Sequence, residues 1–547
     1  MSSKSVVKCG ICLLTLMLIN NVCAQNLTLI LNNTLSWGNK ELYGGFINIK
    51  ANSTLQVDCI NENKNVSYII FQVHSHLYNI TLYNTTNVLG SSLYGTNLGL
   101  YSNVLPTIDT FFIINQNMVS LLLYVSVHGY SLDDPIPGGC NMEFPVPISP
   151  YLQTKYNNEY ILVDAPPPKD QLDDKCNTIG NVVLLFYKMY LPERNFEADV
   201  YFEGIQKMLT VDNIEENGEF VPDNGLHNRR MLSAYQGVGS IYVAVAISVE
   251  NASAYSVYVP TYTYACAPLV EGDCDIFDDV LSQLLLASIL FIGLFVCYYG
   301  HRFFKTEMFL IGLISGGIVT YILISLMADL DRPALLGASI LSGICFGAIW
   351  LLFWWFYGIP VLAVFLATLD VGFLFSAIIY YGLPGGLTAL QFDVNFWTLF
   401  IFIMLTTSLL LVSMTLMSNI LCCAILGAYA VVYSMDYYLG SSMKYIIINT
   451  VRRATVPKFN KAVLDPPFEW GDSLLCLLWV GLAMSGFLFQ HFHNYGRPPF
   501  PPPPRSVRPV VPRSLYGATP LGPSRYPRVI SRNQRSTVTS ERSPLLA

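Results

Sequence analysis

The pattern of apolar and polar positions divides the chain into two contrasting regions. Residues 25–274 contain short segments in which apolar and polar side chains alternate, such as Phe46–Ile49 and Val182–Tyr190, separated by Gly, Asn and Pro. Short alternating segments rich in Val, Ile, Tyr and Thr predict half-buried β-strands. From Val280 onward the polar positions almost disappear. We therefore expect an all-β region followed by a membrane domain.

Prolines divide the β-rich region into two parts. They are frequent between Pro145 and Lys169 and include the run Pro166–Pro168, which favours extended, unpaired backbone. Each flanking part has enough residues for a core of its own. We predict two tandem β-sandwiches, residues 25–145 and 177–274, joined by a Pro-rich linker at 146–176.

Nearly uncharged windows follow, each of about 20 residues, which is long enough for a helix to cross a bilayer. The fifth and sixth windows are separated only by Ser418–Asn419, where we predict a tight hairpin. The fold class is thus a seven-helix transmembrane bundle, residues 280–493, preceded by an all-β region of two sandwiches and followed by a disordered tail, residues 494–547. The predicted spans are Val280–Tyr299, Met308–Met327, Ala334–Tyr357, Pro360–Tyr381, Phe396–Met417, Ile420–Gly440 and Ser473–Phe492.

Composition and the first residues indicate a membrane protein of the secretory pathway. Only 12% of the residues are charged and 53% are hydrophobic, so lipid must solvate much of the chain. Lys4 and Lys8 precede the apolar run Ile11–Ile19 and the compact residues Val22–Ala24. This order predicts a cleaved signal peptide at 1–24, and an uncleaved anchor is the alternative.

Sequons for N-glycosylation occur on only one side of the first predicted span, which places that side in the lumen or outside the cell. Seven crossings then put the tail in the cytosol, and the nine arginines after Tyr495 fit the excess of basic residues on that side. The loop Ser441–Asp472 is also basic but would lie outside, and we predict an amphipathic segment on the membrane surface there. The acceptor residues are Asn26, Asn32, Asn52, Asn65, Asn79, Asn84 and Asn251.

Five cysteines lie in the β-rich region after removal of the signal peptide, and an oxidising lumen favours at least two disulfides among them. About fifteen pairings are open if one thiol is left out. We predict Cys59 with Cys140 and Cys176 with Cys266, one bridge in each sandwich. Cys274 would then be free or would link two copies of the chain.

Few residues carry candidate chemistry. Asp370 is an acid near the middle of a predicted span, where a charge is costly, so it forms a helix-to-helix hydrogen bond or serves as a coupling site for a proton, cation or ligand. His74 and His76 share a strand face, which is minimal spacing for a metal site, although two exposed strand histidines are the simpler interpretation. We expect no catalytic residues, no cofactor and no metal.

Two motifs in the tail suggest cytosolic partners. Glu541 stands four residues before the pair Leu545–Leu546, the acidic dileucine pattern that clathrin adaptors bind, and this predicts sorting to endosomes or lysosomes. The run Phe500, Pro501, Pro502, Pro503, Pro504 is a polyproline II ligand with an aromatic anchor, suited to a polyproline-binding domain of the EVH1 type. A chance match and a simple spacer are the alternatives. No feature indicates binding to nucleic acid. The ligand of the β-rich region at residues 25–274, called the ectodomain below, is unknown.

The stretch Tyr299–Phe309, together with the glycine-bearing span that follows it, resembles the start of the domain shared by seven-transmembrane superfamily member 3 proteins and the transmembrane protein 198 group. The layout of the whole chain is similar to the first of these. That resemblance implies a non-enzymatic membrane protein linked to cell survival and to restraint of the unfolded-protein response. The alternatives are a proton- or cation-coupled transporter or channel that uses Asp370, and a seven-helix receptor. The receptor is disfavoured because span three lacks an acid-Arg-aromatic triplet.

Overall fold

The structure is a computed structural model, and the described residues begin at Gln25 and end at Pro501 with short gaps. The predicted signal peptide, the acceptor Asn32, Pro502 to Pro504 and the sorting residues of the tail lie outside them. The described ranges are 25–31, 35–61, 63, 65–84, 92–103, 108–141, 143–171, 176, 181–270, 272–274, 280–328, 330–498 and 500–501.

The first β-rich unit is a sandwich of two sheets. A five-stranded sheet in the order β1-β3-β8-β5-β6 packs on a four-stranded sheet in the order β2-β9-β4-β7. Inward-facing side chains such as Phe71 and Phe111, whose ring centroids are 4.2 Å apart, fill the space between them. The strands are β1 Gln25–Leu31, β2 Glu41–Ile49, β3 Ser53–Asn61, β4 Tyr68–Ser75, β5 Ile80–Asn84, β6 Leu93–Gly95, β7 Asn97–Asn103, β8 Ile108–Asn115 and β9 Leu121–Tyr130.

The second β-rich unit begins inside the segment that the sequence predicts to be a linker. The strands β10 and β11 lie within 146–176 and form a three-stranded sheet with β14, in which β11 is the central strand. A second sheet, in the order β13-β12-β15-β16 with β17 beside β15, carries two short helices that the strand pattern does not predict. The elements are β10 Gln153–Tyr156, β11 Tyr160–Asp164, β12 Val182–Tyr190, α1 Ala198–Gln206, α2 Val211–Asn217, β13 Glu219–Val221, β14 Arg229–Ser233, β15 Ser240–Ser248, β16 Tyr255–Val257 and β17 Thr261–Thr263.

The disulfide prediction is wrong in both pairs. Cys140 is bonded to Cys176, with Cα atoms 5.5 Å apart, because residues 135–140 run beside residues 167–170 through backbone bonds such as Cys140 N to Pro167 O at 3.1 Å. Cys266 is bonded to Cys274, which closes a short loop before the first long helix. Cys59 is a free thiol on β3, buried in the core of the first sandwich.

The C-terminal half consists of long apolar helices. Within the described residues, six helical stretches are long and apolar enough to cross a membrane. The first of them, Ser282–Met327, contains two helices, α3 and α4, that are divided by the 3₁₀ turn Gly300–Phe303. Helical hydrogen bonding satisfies the backbone in lipid. The helices are α3 Val280–Tyr299, α4 Phe304–Met327, α5 Arg332–Tyr357, α6 Pro360–Tyr381, α7 Asp393–Val412, α8 Thr415–Leu439, the shorter α9 Tyr445–Thr455, and α10 Trp470–His493.

The break between α7 and α8 falls at Ser413–Met414, five residues before the predicted hairpin. Ser418 and Asn419 lie inside α8 and are buried. Their polarity serves hydrogen bonds between helices: the Asn419 amide donates to Glu307 Oε2 on α4 at 2.9 Å. A polar pair in an apolar run is therefore a misleading turn signal here.

Glycines allow the long helices to approach closely. A side chain at Gly427 on α8 would clash with the backbone of Cys297 and Gly293 on α3, so no larger residue fits there. Gly312 on α4 faces Gly347 on α5 in the same way. Small residues at such crossings let backbones pack where lipid supplies no hydrophobic force between helices.

Candidate functional site: the junction of ectodomain and helix bundle

The loop between α8 and α10 does not lie on an open membrane surface as the sequence predicts. Its amphipathic helix α9 is present, but both of its faces are covered. Tyr445, Asn449 and Arg452, at helical spacing, contact the second β-rich unit, whereas Ile446 packs with Leu374 of α6. The helix is therefore wedged between the ectodomain and the bundle.

Arg452 forms the densest set of contacts in this wedge. Its guanidinium Nη1 donates to Ala234 O at 2.8 Å and to Ser233 Oγ at 3.1 Å, and its Nη2 donates to Asn158 O at 2.7 Å. The same Nη1 lies 3.3 Å from Asn449 Oδ1. A buried guanidinium with several acceptors fixes the orientation of its helix more strictly than apolar packing does.

The segment after α9 joins the second β-rich unit directly. Val463 forms a parallel bridge with Leu232 of β14 and packs in the core of that unit. The buried Lys188 of β12 donates to Asp465 O at 2.9 Å, and burial lowers the pKa of Lys188. Tyr190 Oη donates to the same carbonyl at 2.8 Å. The loop thus contributes backbone and side chains to the ectodomain fold.

A second set of polar contacts lies where α8 ends. Lys444 Nζ is 3.5 Å from Glu193 Oε1 of the ectodomain and 3.8 Å from Asp436 Oδ2 at the end of α8. Burial raises the pKa of Glu193, and the nearby Lys444 opposes that shift. Arg194 Nη2 donates to Tyr437 O at 3.0 Å. These contacts join the ectodomain to the C-terminal end of a long helix.

The connection between α6 and α7 also contacts the ectodomain. The Gln391 side chain donates to Asn224 Oδ1 at 3.1 Å, and Gly385 N donates to Asp465 Oδ1 at 3.3 Å. Arg453 of α9 pairs with Asp393 at the start of α7, with Nη2 2.8 Å from Oδ1. Two connections of the bundle therefore contact the ectodomain.

These contacts explain why a basic loop lies beside the ectodomain. The charge rule concerns basic residues that remain free at the membrane surface. Lys444 and Arg453 are each within 4.0 Å of an acid, and Arg452 is bonded to the ectodomain. Because these charges are paired or bonded within an interface, they do not indicate on which side of the membrane the loop lies.

The predicted intramembrane acid makes a helix-to-helix bond. Both carboxylate oxygens of Asp370 on α6 lie 2.8 Å from Ser315 Oγ on α4. Nearby, Thr368 Oγ1 and Ser408 Oγ are 2.8 Å apart and link α6 to α7. Asp370 thus belongs to a set of polar contacts that hold three helices in register.

A polar cluster at the opposite end of the bundle includes residues of the sequence motif that carries the family resemblance. His301 N donates to Gln490 Oε1 of α10 at 3.0 Å, and the His301 ring lies 3.0 Å from the amide of Asn419. That amide also binds Glu307 of α4. Four segments therefore meet through one buried polar cluster, which sequence reasoning missed because its residues are far apart along the chain.

Most of the predicted glycosylation acceptors that are described are accessible. The exception is Asn84, which is buried and donates through its side-chain nitrogen to Asp109 Oδ1 at 3.0 Å. Since that nitrogen is the atom a glycan would join, the structure disfavours modification of Asn84. The exposed acceptors are Asn26, Asn52, Asn65, Asn79 and Asn251.

The candidate metal ligand His74 and the polyproline anchor Phe500 both pack against other parts of the protein. His74 is fully buried, with Nδ1 2.7 Å from Asn97 Oδ1. Within the described residues, no group of three or more His, Cys, Asp or Glu side chains is placed to hold a metal. Phe500, the aromatic anchor of the polyproline run, packs on Phe304 with ring centroids 5.2 Å apart.

The architecture defines a class: a multi-pass membrane protein with two immunoglobulin-like domains. Three family models match the chain, namely a TM7S3/TM198-like domain at residues 286–491, a TM7SF3-like N-terminal immunoglobulin-like domain at 39–130 and a TM7SF3-like second immunoglobulin-like domain at 135–269. The match to the second immunoglobulin-like domain, residues 135–269, includes the predicted linker at 146–176, in agreement with β10 and β11.

Relatives match over nearly the full length. Transmembrane 7 superfamily member 3 of Homo sapiens is 30% identical over 515 residues, covering 88% of this chain and 90% of the relative. The protein of the same name from Mus musculus is 30% identical over 514 residues, with the same coverage. The chain therefore belongs to the transmembrane 7 superfamily member 3 family, which confirms the resemblance noted in its sequence.

Proposed function

We propose that this chain is a non-enzymatic membrane protein that supports cell survival and restrains the unfolded-protein response, with the ectodomain and the bundle acting as one signalling unit. The observation that carries this proposal is the wedge of α9 between the two parts. Family membership supports it, and the names of the relatives describe no enzyme activity.

A partner that binds the ectodomain can influence the helices only through contacts that differ between two states. The contacts of Arg452 with Ala234, of Lys444 with Glu193 and of Gln391 with Asn224 supply such contacts at three separate helix ends. A shift of the second immunoglobulin-like domain would have to break or move them. The same contacts would transmit a change in the bundle outward.

We also propose seven crossings, with the N-terminus outside and the C-terminus in the cytosol. A straight helix of 46 residues would be about 69 Å long, more than twice the roughly 30 Å of a hydrocarbon core. Ser282–Met327 instead turns at Gly300–Phe303, and the contacts of α8 support a reversal there. From Gly293 to Cys297, α3 meets Val431 and then Gly427, so α3 and α8 are antiparallel.

The directions of the other helices fit the same alternation. On α4, Glu307 contacts Asn419 and Ile311 clusters with Cys422, so α4 runs parallel to α8 and opposite to α3. Antiparallel contacts join α4 to α5 and α6 to α7, for example Thr320 with Ser342. The connections α6–α7 and α8–α10 both reach the ectodomain, as seven alternating spans require.

Protease protection tests this topology. In sealed microsomes we expect an epitope after Ala547 to be digested from the cytosolic side, and an epitope inserted at Gln391 to be protected. Protection of the C-terminal epitope would refute seven crossings with an outer N-terminus.

We further propose that the tail directs the protein to endosomes or lysosomes through Glu541, Leu545 and Leu546, read by clathrin adaptors, and that its polyproline run binds a cytosolic polyproline-binding domain. Replacing both leucines by Ala should move the steady-state pool to the plasma membrane. An unchanged distribution, measured by surface biotinylation, would contradict the sorting role. Ser543→Ala is the matched control because it leaves the acid and both leucines in place.

The main proposal is tested in cells that lack the endogenous protein. After calcium depletion of the endoplasmic reticulum, wild-type chain should lower the induction of chaperone transcripts, and Arg452→Met should not, although it is present at an equal level. Lys458→Met is the matched control, since Lys458 is exposed in the same loop. No difference between wild-type chain and an empty vector would refute the function. Full rescue by Arg452→Met would refute the coupling alone.

A further inference from the structure

The two immunoglobulin-like domains share a buried and unusually polar contact. One face of the sheet β2-β9-β4-β7 of the first domain packs on β16, β17 and α1 of the second. Tyr201 Oη of α1 donates to Asn97 Oδ1 of β7 at 2.7 Å, and Leu77 N donates to Tyr262 Oη at 2.8 Å. At the other end, Val257 N donates to Tyr130 Oη at 3.2 Å.

Three of the seven histidines of the chain lie at this contact. His74 of β4 and His128 of β9 are 0% and 1% exposed. Each follows a core residue of the sandwich, Val73 or Val127, so by strand alternation it lies on the opposite face of the sheet. His74 reaches the second domain through Asn97, which also binds Tyr201. His76 is half-buried, with its ring 5.0 Å from that of Tyr201.

The rings of His74 and His128 are buried without an acid bonded to them that could balance a positive charge. His128 Nε2 has no hydrogen-bond partner, and neither has the side-chain nitrogen of Gln72 on the neighbouring strand. Both ring nitrogens of His74 face neutral amide oxygens, with Nδ1 2.7 Å from Asn97 Oδ1 and Nε2 3.3 Å from Gln72 Oε1. These oxygens could accept hydrogen bonds from an imidazolium, but they carry no charge to balance it. An imidazolium at either position would be buried without a bonded acid.

The charged and titratable groups facing this contact come from both domains. Glu41 of β2 is the cross-strand neighbour of His128, but its carboxylate accepts hydrogen bonds from Ser126 Oγ at 3.1 Å and Tyr124 Oη at 3.2 Å. Lys40 pairs with Asp134 at 2.7 Å. The other titratable side chains on or beside the packed elements are Tyr43, Tyr68, Tyr101, Tyr130, Tyr201, Tyr255, Tyr262 and Tyr264, together with the exposed Asp199 and Glu203 of α1.

We propose that the contact between the two immunoglobulin-like domains is an acid-sensitive latch, which is closed at neutral pH and opens when His74, His76 and His128 become protonated. The latch would open in acidic compartments of the secretory and endosomal pathway. Opening exposes the polar sheet face of the first domain and the strands β16 and β17 of the second. The inference concerns the ectodomain and does not depend on the proposed role in stress responses.

The difference between the histidine pKa values in the closed and open forms sets the sign and size of the effect of pH on opening. Burial lowers the pKa of His74 to about 4 and that of His128 to about 3, and it lowers the pKa of the half-buried His76 to about 4. An exposed histidine has a pKa of about 6.5, so the closed form binds fewer protons below that pH and loses stability as the pH falls from about 6.5 towards 4. At pH of about 5 each buried histidine favours opening about thirty-fold, and near pH 7.4 it has almost no effect.

The experiment uses the full chain in lipid nanodiscs. Trp37 is the one tryptophan that precedes the helix bundle, and its ring lies 6.3 Å from that of Tyr255 in the second domain. The Trp37 signal, taken as the difference between wild type and Trp37→Phe, should change reversibly between about pH 6.5 and 4. Hydrogen exchange of β4, β9 and β16 should accelerate over the same range, after correction for the intrinsic rate, while that of β3 and β8 does not.

Variants separate the latch from general acid unfolding. The double substitution His74→Gln with His128→Gln keeps polar side chains that do not titrate, so the acid transition should be strongly reduced and only the contribution of His76 should remain. If the double variant fails to show the wild-type Trp37 signal at neutral pH, His128→Gln alone should reduce opening at pH of about 5 by about thirty-fold. His227→Gln, in an exposed turn, is the control and should behave as wild type. An unchanged wild-type signal down to pH of about 4, or a transition in His128→Gln equal to that of wild type, would overturn the proposal.

Discussion

The Arg452 contacts allow a quantitative test of the junction. Arg452→Met keeps most of the aliphatic stem but removes the donors that bind Asn158, Ser233 and Ala234 across the interface. A hydrogen bond from a charged group contributes about 1.5–3 kcal/mol, and the losses are not additive because Asn449 still bonds Ser233. We expect a net cost of about 3 kcal/mol, which is more than a hundred-fold in the local opening constant.

Hydrogen exchange measured by mass spectrometry on the purified full chain checks this value. In Arg452→Met the amides of α9 and β14 should exchange more than a hundred-fold faster, whereas those of β4 and β9 in the first domain should not change. Lys458→Met controls for the loss of a positive charge from the same loop. If α9 and β14 keep wild-type protection, the junction is not held by Arg452. If all regions lose protection equally, the effect is global and the reasoning about a local joint fails.

Three further predictions address other parts of the chain. Peptide mapping without reduction should recover Cys140 linked to Cys176, and a peptide that joins Cys59 to Cys140 would contradict the structure. Asn52→Gln should increase mobility on a gel by one glycan, whereas Asn84→Gln should not, because the Asn84 side chain is bonded internally to Asp109. Asp370→Asn should preserve thermal stability within about 1 kcal/mol, since an amide oxygen can still accept from Ser315, and proton or cation flux in liposomes should stay at the level of empty vesicles.

The sequence predicts those features that depend on neighbouring residues. Strand alternation and apolar windows locate both immunoglobulin-like domains and the long helices, because each signal lies within one element. The amphipathic segment predicted within Ser441–Asp472 contains the helix α9. The pattern does not reveal the neighbour of this helix, since Arg452 contacts residues more than 200 positions earlier.

The wrong predictions share this dependence on distant contacts. Cys140 pairs with Cys176 because two extended segments run side by side, and one-bridge-per-sandwich reasoning cannot detect such an arrangement. Ser418–Asn419 suggests a turn to any local rule, but Asn419 is polar because Glu307 and His301 lie beside it. Proline-rich sequence at 146–176 suggests a linker, although its residues without proline form two paired strands.

The position of Val463 bears on how this protein can be handled. Its side chain completes the core of the second immunoglobulin-like domain, and its backbone pairs with Leu232 at the edge of β14. A soluble fragment that ends before the first helix would lack this residue and expose the edge it covers. A truncated ectodomain used in a search for ligands would therefore expose an unpaired strand edge, which can bind other chains non-specifically. A fusion that restores residues 456–469 beside β14 is the better bait.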